Sequence, residues 1–395
     1  MKRDFPRTVE AIDNGWLSAV LGAEVTSFST TFIEGGVLSD AFKLHDIEYL
    51  EPSDGAPRSV VAKLPCAVLA RRENAVASGA YIKELNFFRE LAAEVPIRTP
   101  EMYAVDSDGS PTAENFILVM EDLGTHSKVF DQVDDQPDEA FSRRIVLDAA
   151  ALHAKFWESP TLALPWVSSS TQGFEFPMDV NCRKSPETLE SFRTLWEKMF
   201  GIEIFDNTGC DQARETTEIL CGLNCDSIHD YIYDVLSTRP RTLLHGDLRA
   251  DNIFRTDPAL GRSVEDSELT YIDWQLVTAG PPGPEFTQAW QHSLPPEVRR
   301  KDLEFLQQYH ARLVELNPAA AAYSHEMLLQ DYLFGFLFWW SNLVSLGVTV
   351  LPMFDQPEGQ RMKRLWGQGL VWMLIAMTDH DCLSLVRRIQ SEVKG

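Results

Sequence analysis

One loop constrains this chain more than any other part of its sequence. Residues 245–252 read His-Gly-Asp-Leu-Arg-Ala-Asp-Asn, and the motif Ile-Asp-Trp follows at 272–274. Asn252 stands five residues after Asp247, and Asp273 stands at the end of the next β-prone run. An HGD tripeptide alone occurs by chance in many proteins. Joined to this asparagine and this strand-terminal aspartate, it indicates a catalytic loop of one particular kind.

The spacing fits the transfer of a phosphoryl group. In enzymes of that chemistry the loop aspartate receives the acceptor's proton, while an asparagine five residues later and an aspartate after the next strand hold Mg²⁺. Carboxylate and amide oxygens suit this hard ion. We therefore predict Asp247 as the catalytic base and Asn252 and Asp273 as metal ligands. Arg249 either stabilises charge on the transferring phosphate or is exposed to solvent, and Asp251 is interpreted as a solvated loop residue.

The rest of the chain reads as a β-rich part followed by a helical part. Short β-prone runs occupy 25–31, 41–49 and 59–64, and a continuous apolar strand is expected at 116–120. Apolar residues recur at helical spacing in five segments, which are 77–91, 141–157, 187–200, 212–223 and 299–315. We predict an α+β, two-lobed fold, with an N-lobe over 1–123 and a helical C-lobe over 124–395. A ligand is expected between such lobes.

Several segments together resemble the aminoglycoside phosphotransferase and choline kinase superfamily, and most of all its ecdysteroid-kinase-like branch. Besides the loop and the Ile-Asp-Trp motif, they are 60–65, 81–91, 116–123 and 151–157. They follow the family's order and cover roughly residues 30–290. The resemblance implies a protein-kinase-like fold, ATP and Mg²⁺ as cofactors, and transfer of phosphate from ATP to a hydroxyl group of a small organic molecule.

The resemblance also implies a set of nucleotide-binding residues, which are Lys63, Glu84, Gly35, Gly36, Glu121 and Leu123. Lys63 would contact the α- and β-phosphates, and Glu84 would orient it. Glu90 is a second candidate for that role because it lies on the same predicted helix. The two adjacent glycines would lie above the phosphates, where backbone N–H groups can approach closely. Glu121 and Leu123 would form the hinge after the apolar strand.

One segment departs from the family pattern. A glycine-rich turn and a bracing aspartate usually follow the second motif, but residues 280–286 read Gly-Pro-Pro-Gly-Pro-Glu-Phe. Glu285 is the candidate replacement, and its longer side chain leaves the bracing role open. A nucleotide-binding pseudokinase or interaction protein without turnover is therefore the alternative function. A protein kinase is disfavoured, because the loop reads HGD and no Ala-Pro-Glu segment follows Asp273.

Charge and composition limit the partners. The chain has 35 Lys and Arg against 59 Asp and Glu, a formal net charge of −24, so its field repels nucleic acid. The six cysteines form no Cys-x-x-Cys pair, and acidic residues interrupt the N-terminus before any signal peptide could form. We expect a cytoplasmic protein with no membrane partner. Its acceptor is expected to be a neutral or cationic alcohol.

The segment 332–354 carries no charged residue and is long enough to cross a bilayer. Gly335, Gly347 and Pro352 interrupt it, however, and no basic cluster flanks it. We therefore predict a buried helix. Its aromatic residues either pack in the core or line a pocket for the acceptor. We predict that the acceptor binds between the catalytic loop and the aromatic segment around Phe338 and Trp339.

Overall fold

The computed structural model describes residues 4–34, 38–51, 55–131, 134–169, 190, 194, 211–220, 225–256, 267–291, 293–350 and 360–393. Two compact units make up the chain. The first contains Met1–Lys128, Pro165–Val167 and Phe254–Val277, and the second contains Val129–Leu164, Ser168–Ile253 and Thr278–Gly395. Asp273, which falls within the range predicted for the C-lobe, thus belongs to the first unit. The helix predicted over 187–200 lies almost wholly outside the described residues.

The secondary structure follows the predicted change from strands to helices. The described strands are β1 (Val25–Ile33), β2 (Ser39–Tyr49), β3 (Val60–Pro65), β4 (Met102–Ser107), β5 (Phe116–Glu121), β6 (Ser127–Val129), β7 (Ser168–Ser169), β8 (Thr242–Leu244), β9 (Ile253–Thr256), β10 (Leu269–Tyr271) and β11 (Thr278–Gly280). The described helices are α1 (Asn14–Leu21), α2 (Leu69–Ala77), α3 (Ala80–Asn86), α4 (Glu139–Phe156), α5 (Asp211–Leu220), α6 (Cys225–Ser237), α7 (Gly283–Gln291), α8 (Pro296–Arg299), α9 (Asp302–Leu316), α10 (His325–Val350), α11 (Gln360–Asp379) and α12 (Cys382–Val393).

An antiparallel sheet of order β1-β2-β3-β5-β4 forms the centre of the first unit. Alternate residues of β3 are fully buried, and β5 is buried at every position but its last, as its continuous apolar sequence predicts. Leu17 of α1 packs into the same core cluster as Val60 and Val119. Strand β4 was not predicted, because all six of its residues are half-buried and show no alternation.

The helix predicted over 77–91 is interrupted in the structure. Gly79 has a left-handed φ of 69°, which separates α2 from α3. After Asn86 the chain continues as a π-helical turn, Phe87–Leu91. The ring of Phe87 stacks on Trp274 with 3.9 Å between ring centroids and an interplanar angle of 7°. This stacking holds the Ile-Asp-Trp motif beside the helix that carries Glu84.

The second unit is built mainly from helices, with α9 packed on α4 and α10 packed on α7. A small sheet of order β7-β11-β8 lies in the same unit. Strand β8 ends one residue before His245, so the sheet fixes the start of the catalytic loop. All nine residues of α7 are buried, which makes this short helix a central element of the unit.

Two glycines allow α7 and α10 to cross closely. A Cβ atom on Gly283 would lie 2.6 Å from the Cβ of Asp331 and 2.7 Å from the backbone nitrogen of Tyr332. A Cβ atom on Gly335 would overlap the hydroxyl group of Thr287. Real Cβ atoms do not approach backbone this closely, because packed interiors have no spare volume. The position of α7 therefore depends on glycine at both places.

Helix α10 contains most of the uncharged segment. Its described side chains from Tyr332 to Leu343 include Phe338 and Trp339, which are 3% and 4% exposed. The buried helix predicted there is confirmed up to residue 343, while 351–354 lie outside the described residues. In the part of the chain that the structure describes, no single helix has both the length and the hydropathy of a membrane span, although the bent pair Lys363–Asp379 and Cys382–Val393 together passes that test.

Replacing Gly283 by alanine is expected to lower the free energy of unfolding by about 1–3 kcal/mol, because the new methyl group overlaps the backbone of α10. Chemical denaturation measures the loss. Gly15→Ala in α1 is the control, since its Cβ would meet only the Asp13 carboxylate at 3.4 Å and alanine favours a helix. Equal stability of the two variants would contradict the close crossing.

Candidate active site

The catalytic loop is folded so that Asn252 returns to Asp247. Gly246 has a φ of 82°, a left-handed conformation that favours glycine. A short 3₁₀ turn, Ala250–Asn252, then reverses the chain. The side-chain amide of Asn252 donates to the backbone carbonyl of Asp247 at 2.9 Å and to its Oδ2 at 3.0 Å. The five-residue spacing seen in the sequence is thus the length of this turn.

The carboxylate of Asp247 is surrounded by donors. Oδ2 accepts from Asn252, and Oδ1 accepts from Nε2 of Gln288 at 2.9 Å. Nε of Arg249 lies 3.0 Å from the same Oδ1. Gln288 lies on α7, 41 residues further along the chain, and sequence reasoning missed it. No local pattern connects the two residues, so only the fold could show this contact.

Arg249 forms ion pairs within the loop. Besides its contact with Asp247, its Nη1 lies 3.4 Å from Oδ2 of Asp251. The side chain is 29% exposed and that of Asp251 is 32% exposed. Arg249 is therefore half-buried and bound by the predicted base, rather than extended into solvent. Asp251 holds this arginine and is also partly solvated.

Glu285 braces the catalytic loop. Its Oε1 accepts a hydrogen bond from the backbone N–H of Gly246 at 2.9 Å, and its Oε2 lies 3.0 Å from Nε2 of His153. A carboxylate can only accept, so Nε2 of this histidine carries the proton. The other ring nitrogen, Nδ1, then accepts from the hydroxyl group of Tyr309 at 2.8 Å. Glu285 thus contacts the backbone of the catalytic loop, which the sequence had left open.

The surroundings of Glu285 are closed to solvent. Glu285, His153 and Tyr309 are each fully buried. Burial raises the pKa of Tyr309 well above its ordinary value, and the charge of Glu285 raises it further, so the phenol remains a donor. His153 and Tyr309 were not predicted as site residues. They lie 132 and 24 residues from Glu285 in the chain, on α4 and α9.

A second charged cluster lies in the first unit. Nζ of Lys63, on β3, is 2.8 Å from Oε1 of Glu84, on α3, and 2.8 Å from Oδ1 of Asp273, which follows β10. Glu84 is therefore the partner of this lysine. Glu90, the other candidate, instead accepts from the indole N–H of Trp166 at 2.9 Å.

The charges in this cluster depend on one another. Burial alone would lower the pKa of Lys63, but Asp273 and Glu84 outweigh burial and raise it. Burial raises the pKa of Glu84, and the positive charge of Lys63 offsets part of this rise. The lysine is therefore a cation at neutral pH. Asp273 has a left-handed φ of 66°, an uncommon conformation that often marks a functional position.

Of the four remaining residues predicted to contact the nucleotide, the structure describes Glu121 and Leu123. Both carboxylate oxygens of Glu121 accept from Nη2 of Arg98, at 2.8 and 2.9 Å. Leu123 is buried, and its carbonyl accepts from the backbone of His126 at 3.2 Å. The side chain of Glu121 is thus engaged within the protein. Gly35 and Gly36 lie outside the described residues.

The predicted metal ligands fit Mg²⁺. Asn252 uses its amide hydrogens on Asp247, and within the described part of the chain its Oδ1 accepts no hydrogen bond. Asp273 supplies carboxylate oxygens. No group of three or more His, Cys, Asp or Glu side chains among the described residues could hold a metal alone. Mg²⁺ commonly binds one or two protein oxygens together with phosphates and water, so Asn252 and Asp273, each considered by itself, carry the kind of oxygen that such an ion binds.

A family profile connects these residues to known proteins. The profile of the ecdysteroid kinase-like family matches residues 45–320. This chain belongs to that family. The matched range contains Lys63, Glu84, Asp247, Asn252 and Asp273. Membership confirms the resemblance seen in the loop. The predicted α+β class, with its strands first and its helices second, is confirmed as well.

Solved structures similar to this ecdysteroid kinase-like chain are distant in sequence. A Ralstonia eutropha protein assigned as an aminoglycoside phosphotransferase is 12% identical, with a TM-score of 0.46 over 92% of this chain and 97% of the other. Plasmodium vivax ethanolamine kinase is 14% identical (TM-score 0.40, 87% and 82%). Brachybacterium faecium macrolide 2′-phosphotransferase is also 14% identical (TM-score 0.40, 89% and 95%). Among curated proteins, none matches the sequence.

Replacing Glu285 by alanine is expected to lower the free energy of unfolding by about 2–4 kcal/mol, because a buried N–H group and a buried imidazole lose their acceptor. Glu285→Gln keeps an acceptor oxygen for Gly246 and is expected to lose less. Urea denaturation followed by circular dichroism measures both. Glu304→Ala on the exposed side of α9 is the control, and a Glu285→Ala variant as stable as this control would refute the brace.

Proposed function

We propose that this chain is a small-molecule O-kinase, which transfers the γ-phosphoryl group of ATP to a hydroxyl group of a small organic molecule. The observation that carries the proposal is the carboxylate of Asp247, which Asn252 and Gln288 hold in one orientation. Membership of a kinase-like family supports the same chemistry. Asn252 and Asp273 would hold Mg²⁺, and Lys63 would bind the phosphates of ATP.

Asp247 has the surroundings that a general base needs. Two amide donors and the guanidinium group of Arg249 stabilise its negative charge, and the charged form is the one that accepts a proton. The donors also fix the direction of its lone pairs. As the acceptor oxygen attacks phosphorus, its proton passes to this carboxylate. Arg249 is placed to stabilise nearby negative charge as it develops.

Lys63 has the surroundings that a phosphate ligand needs. The side chain of Lys63 is only 14% exposed, and an ionic contact in such a buried environment is stronger than in water. Glu84 holds the ammonium group in place and is itself almost fully buried. Mg²⁺, when bound, would neutralise charge on the transferring group. The role of Lys63 is then to bind and orient the phosphates.

The alternative of a pseudokinase loses one of its two supports. It rested on the missing aspartate and on the missing glycine-rich fingerprint. Glu285 reaches the N–H group of Gly246, so the loop is braced without the aspartate. The Lys63, Asp247, Asn252 and Asp273 set is complete. We therefore favour an enzyme with turnover.

The acceptor that we propose is a neutral or cationic alcohol. An anionic acceptor would need its own arginine, but several arginines of the second unit are already bound by carboxylates. Arg143 contacts Glu139, and Arg299 contacts Asp302 and Asp379. The net charge of −24 also disfavours an anionic acceptor.

In the described residues, the aromatic segment of α10 packs against its neighbours and does not form a pocket wall. Phe338 and Trp339 are buried, and the indole N–H of Trp339 donates to the carbonyl of Pro284 at 3.3 Å. Phe338 also packs edge-to-face on Tyr233, with 6.0 Å between ring centroids. These contacts favour core packing, the alternative that the sequence left open. The acceptor is therefore to be sought nearer to Asp247.

Asp247→Asn is expected to lower kcat by about 10²-fold or more while Mg²⁺ and ATP still bind, because only proton transfer is lost. Asp273→Ala is expected to abolish Mg²⁺-dependent nucleotide binding, because a metal ligand is removed. An ATP-consumption screen over alcohols, steroids, aminoglycosides and choline analogues supplies the acceptor. Steady-state kinetics and calorimetric nucleotide titration then measure the two variants.

The control for both variants is Glu304→Gln, which removes an exposed carboxylate of α9 and contacts neither the proposed base, nor Arg249, nor the proposed metal ligands. Its kcat is expected to stay near that of the wild type. Full activity of Asp247→Asn on the best acceptor would show that the base is assigned wrongly. Failure of the wild type to bind or consume ATP would contradict the proposed function as a whole.

A further inference from the structure

Two buried glutamines on α7 have amide atoms without hydrogen-bond partners. Gln288 and Gln291 are 4% and 2% exposed. Nε2 of Gln288 donates to Asp247, but its Oε1 has no partner among the described residues. In the same part of the chain, both Oε1 and Nε2 of Gln291 lack one. Nε1 of Trp290 on the same helix is also without a partner among the described residues. Leaving a buried polar group unsatisfied costs about 1–3 kcal/mol, so four such atoms on one helix, three of them amide atoms, indicate a polar ligand.

The amide of Gln288 lies where α7 meets the catalytic loop. The loop touches this region at three points: Gly246 donates to Glu285, Asp247 accepts from Gln288, and the N–H group of Ala250 donates to Oγ of Ser293 at 3.1 Å. Gln291 follows Gln288 by three residues, so the two side chains share one helix face. In the sequence, Gln291 lies between Gln288 and Ser293, which make the second and third of these contacts.

Two neighbouring side chains of α7, Thr287 and Trp290, pack in the core. The hydroxyl group of Thr287 donates to the carbonyl of Tyr332 at 2.7 Å. Trp290 packs against Phe286, Phe305 and Tyr332 with ring centroids 5.2–5.7 Å apart. The hydroxyl group of Thr287 thus has its partner, whereas the amide atoms of Gln288 and Gln291 named above have none among the described residues.

We propose that Gln288 and Gln291 form an acceptor subsite that binds a second polar group, a hydroxyl or amino group adjacent to the hydroxyl group that is phosphorylated. The proposal rests on the proposed function, because the reacting hydroxyl must approach Asp247. Vicinal diols and amino alcohols are the chemical class that meets this requirement. An isolated hydroxyl group on an apolar frame would leave the amides unpaired.

The orientation of each amide determines what it recognises. A carboxylate only accepts, so Gln288 must present Nε2 to Asp247, and its free Oε1 must accept. The ligand group there is a donor. Gln291 offers one donor and one acceptor, which matches a hydroxyl group, itself both donor and acceptor. A site built to bond a hydroxyl group rejects the analogue that lacks it, because the buried amides are left unpaired.

The test uses cyclohexanol and cis-cyclohexane-1,2-diol as probes, since they share an apolar ring and differ by one hydroxyl group. Ligand-observed NMR titrations of the full chain with Mg²⁺ and ADP measure both dissociation constants. The wild type is expected to bind the diol about tenfold more tightly, the value of one or two hydrogen bonds. In Gln291→Leu and Gln288→Leu the preference is expected to fall to about one to threefold.

Two further variants separate recognition from stability. Gln291→Glu replaces the amide with a carboxylate and is expected to shift the preference from the diol to cis-2-aminocyclohexanol, whose ammonium group it attracts. A purely structural role would not produce that shift. Thr287→Val is the matched control, because it is equally buried on the same helix but faces Tyr332. It is expected to keep the wild-type preference for the diol.

Several results would overturn the subsite. They are equal binding of the two probes by the wild type, no measurable binding of either probe, or an unchanged preference in Gln291→Leu. Glutamine variants that lose only thermal stability would show that the amides bind buried water only. The binding preference is measured without turnover, so a lost preference with ATP turnover intact refutes the subsite alone, whereas an intact preference without ATP turnover refutes the kinase alone.

Discussion

The buried carboxylate of Glu285 is the interaction on which the second unit depends. A fully buried negative charge is costly unless donors surround it, and here the donors come from the catalytic loop and from α4. The backbone of Gly246 can present its N–H group because φ at this residue is 82°. Tyr309 then satisfies the far nitrogen of His153. The contacts of this one carboxylate thus fix the positions of the catalytic loop, α4, α7 and α9 relative to one another.

The sequence predicted those parts of the site in which the interacting residues are close together in the chain or lie on strands with a clear apolar pattern. The return of Asn252 to Asp247 is a turn within six residues, and Lys63 and Asp273 stand at or beside strands with clear apolar patterns. Gln288, His153 and Tyr309 left no such pattern, because they reach the site from 41, 132 and 156 residues away from their partners. The π-helical turn at 87–91 was missed for a similar reason, since its stacking partner Trp274 is remote in the chain.

Composition could not decide the role of the aromatic residues in α10. An aromatic side chain has the same hydrophobicity in a core and in a pocket wall, so the sequence left both open for Trp339. The close approach at Gly283 and Gly335 decides it for the described residues, because it brings α7 against the face of α10 that carries this tryptophan. Gly335, one of the glycines that argued against a membrane span, thus has a packing role.

The two charged clusters differ in how their charges are balanced, and the difference matches their proposed chemistry. In the first unit one ammonium group faces the carboxylates of Glu84 and Asp273, so an added cation would be attracted. In the second unit the carboxylate of Asp247 already has the guanidinium of Arg249 and two amides. The guanidinium balances the charge of this carboxylate, and the two neutral amides orient it. One of these amides comes from α7, a helix that cannot move without disturbing its crossing with α10.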